Sequence, residues 1–201
     1  MPLGWVFGER STGARLERIV ASPRYGESGF RNTKPVTPGL KRGTMASTLG
    51  EYIGGSERRT PPGPLPSVDP RAAWTRPPSS GLRATWLGHS TVLLEIDGVR
   101  VLTDPVWGPR ASPYAFAGPK RFQPVPVAIA DLPPIDAVVI SHDHYDHLDY
   151  VTIVELAKGR VPFYTSLGVG AHLESWGVPK ERVFEFDWWE SVTLPKADLT
   201  I

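Results

Sequence analysis

The sequence contains no cysteine among its 201 residues. This excludes disulfide bonds and thiolate ligands, so any metal site must use nitrogen and oxygen donors. No apolar run approaches the roughly 20 residues of a membrane-spanning helix, and the beginning of the chain lacks the basic and apolar regions of a signal peptide. Together these absences favour a cytoplasmic protein.

Strong net charge is also lacking, at +1 for the whole chain, and we expect no nucleic-acid partner. The two parts of the chain nevertheless differ in sign. Residues 1–80 hold 12 Lys and Arg against 6 Asp and Glu, whereas residues 81–201 hold 10 against 15. The basic residues of the first part are scattered, which indicates an ordinary solvated arm. Peripheral contact of this arm with an anionic lipid surface is the alternative.

Proline separates the same two parts. Residues 1–80 contain half of the 22 prolines, and the run Thr60–Pro66 can continue neither a helix nor a central strand. We therefore expect residues 1–80 to form a largely irregular arm with a short helix near Thr12–Val20. Residues 81–201 alternate strand and helix patterns, which predicts a mixed α/β body.

Eight strands and two helices are predicted in this body. The pair Asp97-Gly98 is typical of a tight hairpin turn. The predicted strands are Leu82–Leu87, Thr91–Ile96, Val99–Thr103, Ala137–Ile140, Val161–Thr165, Val183–Phe186, Ser191–Leu194 and Leu199–Ile201, and the helices are Leu148–Lys158 and Gly170–Trp176.

Residues of the types that bind metal ions are concentrated directly after the predicted apolar strand that ends at residue 140. His142, His144, Asp146 and His147 fall within six positions there. Side chains two apart in an extended segment point the same way, so His142 and His144 can bind one ion, while Asp146 and His147 project toward a second position. Imidazole and carboxylate at this density favour transition-metal ions. The alternative is a loop of surface histidines without a ligand.

The roles of His89, Asp104 and His172 are less clearly defined by the sequence. His89 and Asp104 each have two interpretations, and His172 has one. His89 either hydrogen-bonds at the end of a strand or contributes to the pocket. Asp104 either caps a turn or orients a ligand histidine through the ring N–H, and we favour the second role. His172 lies in a predicted helix far from the cluster in sequence, and we interpret it as a surface histidine.

Residues 105–134 form a long predicted loop rich in aromatic residues. Loops of this length are usually functional or disordered. Trp107, Tyr114, Phe116 and Phe122 either form a lip that meets acyl chains or simply pack against the body.

Several sequence segments, taken together, resemble those of one known family. The motif His142-x-His144-x-Asp146-His147 is similar to the signature of the metallo-β-lactamase superfamily. Five further segments are similar to sequences of the N-acyl-phosphatidylethanolamine-hydrolysing phospholipase D branch of that superfamily. They are Thr85-Trp86-Leu87-Gly88-His89-Ser90-Thr91-Val92-Leu93, Leu102-Thr103-Asp104-Pro105, Gly118-Pro119-Lys120-Arg121-Phe122, Leu132-Pro133-Pro134-Ile135-Asp136-Ala137-Val138 and Phe186-Asp187-Trp188-Trp189-Glu190.

The resemblance implies an α/β fold, the four-layer αββα sandwich, with two zinc ions at one edge. His142 and His144 would hold the first zinc, and Asp146 and His147 the second. Asp146 would also be catalytic, accepting a hydrogen bond from the water that attacks a phosphodiester. The implied substrate is an N-acyl-phosphatidylethanolamine-type phospholipid.

The family also uses two further histidines and an aspartate, which we expect beyond Ile201. The chain would then be a fragment, the N-terminal part of the sandwich, with exposed apolar sheet faces. Such a site would bind one zinc or none instead of two. The alternatives to a lipid phosphodiesterase are another hydrolase on this scaffold and an inactive metal-binding remnant. The sequence does not specify whether the protein is a monomer or an oligomer.

Overall fold

The computed structural model describes residues 6–27, 29–34, 43–54 and 60–201. The helices are α1 (Gly13–Ala21), α2 (Met45–Gly54), α3 (Arg71–Trp74), α4 (Tyr150–Ala157) and α5 (Gly170–Ser175), with short 3-10 turns at Ile129–Asp131 and Lys180–Arg182. The strands are β1 (Tyr25–Gly26), β2 (Gly29–Phe30), β3 (Leu82–Gly88), β4 (Thr91–Ile96), β5 (Val99–Thr103), β6 (Ala137–Ile140), β7 (Phe163–Ser166) and β8 (Val183–Phe186).

One mixed sheet organises the chain from residue 82 onward. Its strands run in sequence order from β3 to β8. β3, β4 and β5 are antiparallel neighbours, whereas β5, β6, β7 and β8 are parallel. Asp97 and Gly98 join β4 to β5 with φ values of 49° and 83°, as the predicted tight turn requires. The predicted α/β class is confirmed.

Helices α4 and α5 cover one face of this sheet. Leu93, Leu102 and Val138 from the strands pack there with Ile153 of α4 and Leu173 of α5. The strands alternate buried and half-buried residues because successive side chains point to opposite faces. Burial on this face fixes α4 and α5 relative to the strand ends that precede them.

The last residues of the chain pack against part of the other face. Leu194 joins Val99, Val101 and Tyr164 in a second buried cluster there. The predicted strands Ser191–Leu194 and Leu199–Ile201 are wrong as strands. They form one isolated bridge, between Thr193 and Thr200, with flanking backbone hydrogen bonds that join Val192 to Ile201 and Leu194 to Leu199.

The first 80 residues contain more regular structure than their proline content predicts. α1 corresponds to the expected helix near Thr12–Val20, but α2, α3 and the β1–β2 hairpin were not predicted. The division into an arm (1–80) and a body (81–201) stays a prediction. Among the described residues, no helix has the length and apolarity needed to cross a membrane.

Sheet topology gathers the predicted site residues at one edge. Because β5 and β6 are parallel, their carboxyl ends lie side by side, and the β3–β4 turn reaches the same edge through the pairing of Val92 with Thr103. Asp104, the cluster at 142–147 and His89 therefore meet, although 50 or more residues separate His89 from the cluster in sequence.

Candidate metal centre

Asp104 connects the ends of the two central parallel strands. Its backbone N–H donates to Val139 O at 2.8 Å. Its carboxylate accepts two hydrogen bonds from Ser141, from the backbone N–H to Oδ1 at 2.7 Å and from the hydroxyl to Oδ2 at 2.8 Å. Asp104 adopts a φ of 39°, which turns the chain sharply out of β5. This arrangement fixes the start of the histidine cluster.

The three clustered histidines converge. The ring centroid of His142 lies 4.6 Å from that of His144 and 4.1 Å from that of His147. His142 and His147 are half-buried, while His144 is exposed. This disagrees with a loop whose histidines splay apart. Among the described residues, however, His142 and His144 do not belong to the group whose ligand atoms all lie within 4.8 Å of one another.

Asp104 also holds His147. Its Oδ2 lies 2.9 Å from His147 Nδ1, which is the contact that the ligand-orienting interpretation of Asp104 requires. With Nδ1 bonded to a carboxylate, the Nε2 nitrogen is the one left to bind a metal. His147 Nε2 lies 3.7 Å from Asp146 Oδ2.

His89 lies in the site as well as at the end of a strand. Its Nε2 lies 3.0 Å from Asp146 Oδ2, and its φ is 48°. Ser90 fixes the same turn, since its hydroxyl donates to Asp146 O at 2.7 Å. Ligand atoms of His89, Asp146 and His147 all lie within 4.8 Å of one another. His89 therefore belongs to the compact group of ligand atoms, whereas His142 and His144, which the sequence predicts as ligands, lie outside it.

The site's electrostatics suit a cation. Burial lowers the pKa of His142, and the adjacent His147 and His144 lower it further, so the neutral, metal-binding form is favoured. Burial alone would raise the pKa of Asp146, but the hydrogen bond from His89 and the nearby His147 bring it below its ordinary value. The donors are imidazole nitrogens and ionised carboxylates, a set that fits zinc and similar ions.

His172 is a sequence prediction that the structure corrects. It is half-buried at the pocket wall beside the cluster, and burial lowers its pKa. Its Nδ1 accepts the Glu9 N–H at 3.1 Å, and its Nε2 lies 3.9 Å from Asp143 Oδ2. Distance in sequence was misleading because α5 follows β7, whose carboxyl end lies at the same sheet edge. That parallel topology is the signal that could have located it.

Asp149 has a structural role. It is 7% exposed, and its Oδ2 accepts the N–H groups of Trp107 and Gly108 at 3.2 and 2.8 Å. A Cβ on Gly108 would lie only 2.7 Å from Asp149 Oδ1. Asp149 therefore attaches the long 105–134 loop to the beginning of α4.

The aromatic residues of that loop divide into two groups. Trp107 is half-buried and donates its indole N–H to Val127 O at 2.8 Å, so it packs against the body. Tyr114, Phe116 and Phe122 expose 37%, 79% and 57% of their surface. These three remain candidates for a lip.

A pocket of about 380 Å³ adjoins the cluster. Half of its lining residues come from the segment 143–148, and the other half come from the arm, the loop and α5 with the residue after it. The lining residues are Val6, Phe7, Ala111, Asp143, His144, Tyr145, Asp146, Leu148, His172 and Trp176.

Comparison with protein families finds one matching model, described as the beta-lactamase superfamily domain, over residues 99–201. This match covers just over half of the chain and includes Asp104 and the whole histidine cluster. His89 and the arm lie outside it.

Curated relatives extend the likeness toward the arm. A protein of Mycobacterium tuberculosis is 49% identical over 175 residues, which are 86% of this chain and 46% of that protein. The N-acyl-phosphatidylethanolamine-hydrolyzing phospholipase D 1 of Caenorhabditis elegans is 43% identical over 61% of this chain and 36% of that protein. A metal-dependent hydrolase of Exiguobacterium is 32% identical over 39% of this chain and 29% of its own length. The chain spans about half or less of the length of these relatives.

Proposed function

Because the chain belongs to the beta-lactamase superfamily domain family, in its N-acyl-phosphatidylethanolamine-hydrolysing phospholipase D-like branch, we propose that it carries the metal site of a zinc-dependent hydrolase. The proposed reaction is hydrolysis of a phosphodiester in N-acyl-phosphatidylethanolamine-type lipids. The single observation that carries the proposal is the histidine cluster at one sheet edge. There the ring of His142 lies beside those of His144 and His147, and His147 shares a compact group of ligand atoms with Asp146 and His89.

The proposed ligands are His142, His144, Asp146 and His147. Zinc, when bound, supplies a Lewis acid and lowers the pKa of a water molecule. Asp104 orients His147 through the 2.9 Å contact to Nδ1, and His89 orients Asp146 through the 3.0 Å contact to Oδ2. The lowered pKa of Asp146 keeps its carboxylate ionised, so it can accept a hydrogen bond from the attacking water.

Lipid as the substrate class is supported by two observations. The Caenorhabditis relative's name specifies an N-acylated phospholipid. Tyr114, Phe116 and Phe122 are exposed aromatic residues of the 105–134 loop, and such side chains favour the boundary between water and apolar chains. We propose a cytoplasmic protein with peripheral membrane contact.

A second candidate is another metallohydrolase reaction on the same scaffold. The name of the Exiguobacterium relative, a metal-dependent hydrolase, specifies no substrate. The scaffold alone does not specify a substrate either. This candidate keeps the proposed metal ligands and changes only what lies in the pocket.

The test combines metal content with turnover. Purified wild type and His144→Ala are analysed for zinc, then assayed on bis-p-nitrophenyl phosphate and on N-acylated phosphatidylethanolamine in mixed micelles. The proposal predicts zinc-dependent cleavage of both substrates by wild type, loss on chelation, recovery with added zinc, and strongly reduced activity in the variant.

The other outcomes separate the candidates. Cleavage of the model diester without cleavage of the lipid favours a different substrate on the same scaffold. Zinc bound to a wild type that is as inactive as His144→Ala favours a metal-binding chain without turnover and contradicts the hydrolase proposal.

A further inference from the structure

The segment 6–11 forms one wall of the pocket beside the histidine cluster. Val6 and Phe7 line the pocket directly. The ring of Phe7 meets that of Tyr114 edge-to-face, with centroids 5.8 Å apart. The segment therefore closes the space between the 105–134 loop and α5.

Contacts with α5 and the turn before it hold this segment in place. The Glu9 N–H donates to His172 Nδ1 at 3.1 Å, and the Ser11 hydroxyl donates to Gly168 O at 3.3 Å. Further along, Arg15 pairs with Glu174 at 2.5 Å and with Glu185 at 2.6 Å. These contacts join parts of the chain more than 150 residues apart.

Gly8 allows the close approach of the segment to His172. Its φ is +70°, and a Cβ built there would lie 1.9 Å from His172 Nδ1. A side chain at this position would push the segment away from α5. Gly13 is a natural comparison, because it also has a positive φ, of +55°, but its Cβ would meet nothing within 4 Å.

We propose that residues 6–11 are the apolar wall of the substrate site and contact an acyl chain of the lipid, with His172 as the residue that positions them. This inference rests on the proposed function. The same pocket is lined by His144 and Asp146 and by Val6, Phe7, Leu148 and Trp176, so an acyl chain held by the apolar residues would lie near the proposed metal ligands. Its volume of about 380 Å³ falls within the range of about 300–1,000 Å³ for small-molecule sites.

The experiment measures binding to the full zinc-loaded chain by titration calorimetry. Both probes are phosphonate analogues, which the proposed hydrolysis cannot cleave. One is the analogue of the short-chain lipid N-hexanoyl-dihexanoylphosphatidylethanolamine, and the other is the analogue of glycerophospho-N-acetylethanolamine, which lacks the long acyl chains. The variants are Phe7→Ala, Gly8→Ala and the matched control Gly13→Ala. Because Phe7→Ala removes aromatic surface that lines the pocket and Gly8→Ala displaces the segment that carries it, we expect about tenfold weaker binding of the chain-bearing probe by both variants.

Binding of the chainless probe should stay unchanged in these variants, and Gly13→Ala should resemble wild type with both probes. Wild-type affinity for the chain-bearing probe in both Phe7→Ala and Gly8→Ala would overturn the inference while leaving the proposed function intact. If neither probe binds to wild type, the proposed function fails and this inference fails with it.

His172 is tested through its acceptor nitrogen. His172→Leu removes the acceptor for the Glu9 N–H, whereas His172→Gln retains one. We expect trypsin to cleave after Arg10 faster in Gly8→Ala and His172→Leu than in wild type, with His172→Gln in between. Equal cleavage rates in all four proteins would contradict the positioning role of His172, whatever their activity.

Discussion

At the scale of single residues, Asp104 connects most of the candidate site. Its carboxylate accepts two hydrogen bonds from Ser141 and contacts His147 Nδ1 at 2.9 Å. A carboxylate bonded to Nδ1 selects the tautomer whose Nε2 can bind a metal. Asp104 therefore links the backbone geometry of two strand ends to the chemistry of a proposed ligand.

Asp104→Asn should weaken zinc binding by about 10–100-fold, which is the usual cost of removing a carboxylate behind a ligand histidine. The asparagine keeps the shape but offers a single acceptor oxygen to replace two. Affinity is measured by competition with a chromophoric chelator.

Asp136→Asn is the control for this substitution. Asp136 is similarly enclosed, at 15% side-chain exposure against 13% for Asp104, and it precedes β6 at the opposite sheet edge, where it accepts the Arg100 N–H at 2.9 Å. Its affinity should match wild type. Equal affinity for zinc in Asp104→Asn and wild type would disprove the orienting role.

Residue-level predictions were possible where the chemistry was local. The cluster at 142–147 was visible because its residue types lie within six positions. His172 and the buried role of Asp149 were not visible, because both depend on contacts between distant segments, Glu9 with His172 and Gly108 with Asp149. A single sequence carries no local signal for such pairs.

At the scale of elements, attachment of α1 to the body is the feature that shapes the pocket. Arg15 of α1 reaches Glu174 in α5 and Glu185 in β8, and the hydrogen bond with Glu174 raises the pKa of Arg15 above its ordinary value. Glu185 also accepts the N–H groups of Gly168 and Gly170 at 2.6 and 3.0 Å. One carboxylate thus joins α1, the β7–α5 turn and β8.

Arg15→Met should reduce the free energy of unfolding by about 1–3 kcal/mol, because it leaves the largely enclosed Glu185 carboxylate without its cation. Urea unfolding followed by circular dichroism measures the change. Lys158→Met is the control, since the Lys158–Glu155 pair is 66% and 50% exposed and such pairs are worth about 0–1 kcal/mol. Equal destabilisation by the two substitutions would mean that Arg15 acts as an ordinary surface residue.

Element boundaries were predictable where period and turn chemistry agreed. β4, β5, β6 and β8 begin and end as the sequence predicts, because an Asp-Gly turn or a short apolar run defines each. α2 was missed, since the surrounding proline-rich composition outweighed its weak helical pattern. The pair 191–194 and 199–201 was overpredicted because β-branched residues there resemble a strand, but only a single bridge forms.

At the scale of the whole molecule, the sheet is covered unequally. Helices bury one face, while the other packs against residues 192–201 only in part. Leu82, Trp86 and Phe184 expose 52%, 64% and 41% of their surface, which agrees with the expectation of exposed apolar surface. A contact that joins neighbouring strand ends should therefore add to the free energy of unfolding. A metal ion bound by residues after β6 and by its neighbours would be such a contact.

Zinc should therefore raise the melting temperature of the whole chain. At a free zinc concentration of 100 times Kd, the stabilisation is about 2.7 kcal/mol, which corresponds to about 5–10 °C for a chain of this size. Differential scanning fluorimetry with zinc, and then with excess chelator, measures the shift. The triple variant His142→Ala/His144→Ala/His147→Ala should show almost none, and an equal shift in that variant would place the bound zinc elsewhere.

The measurement that tests the central claim most directly is X-ray absorption at the zinc K-edge of the metal-loaded chain. We predict at least two imidazoles bound to zinc through nitrogen at about 2.0–2.1 Å, and loss of most of that imidazole signal in His142→Ala/His144→Ala/His147→Ala. A spectrum without imidazole scattering, or one that the triple substitution leaves unchanged, would contradict the claim that these histidines form the metal site.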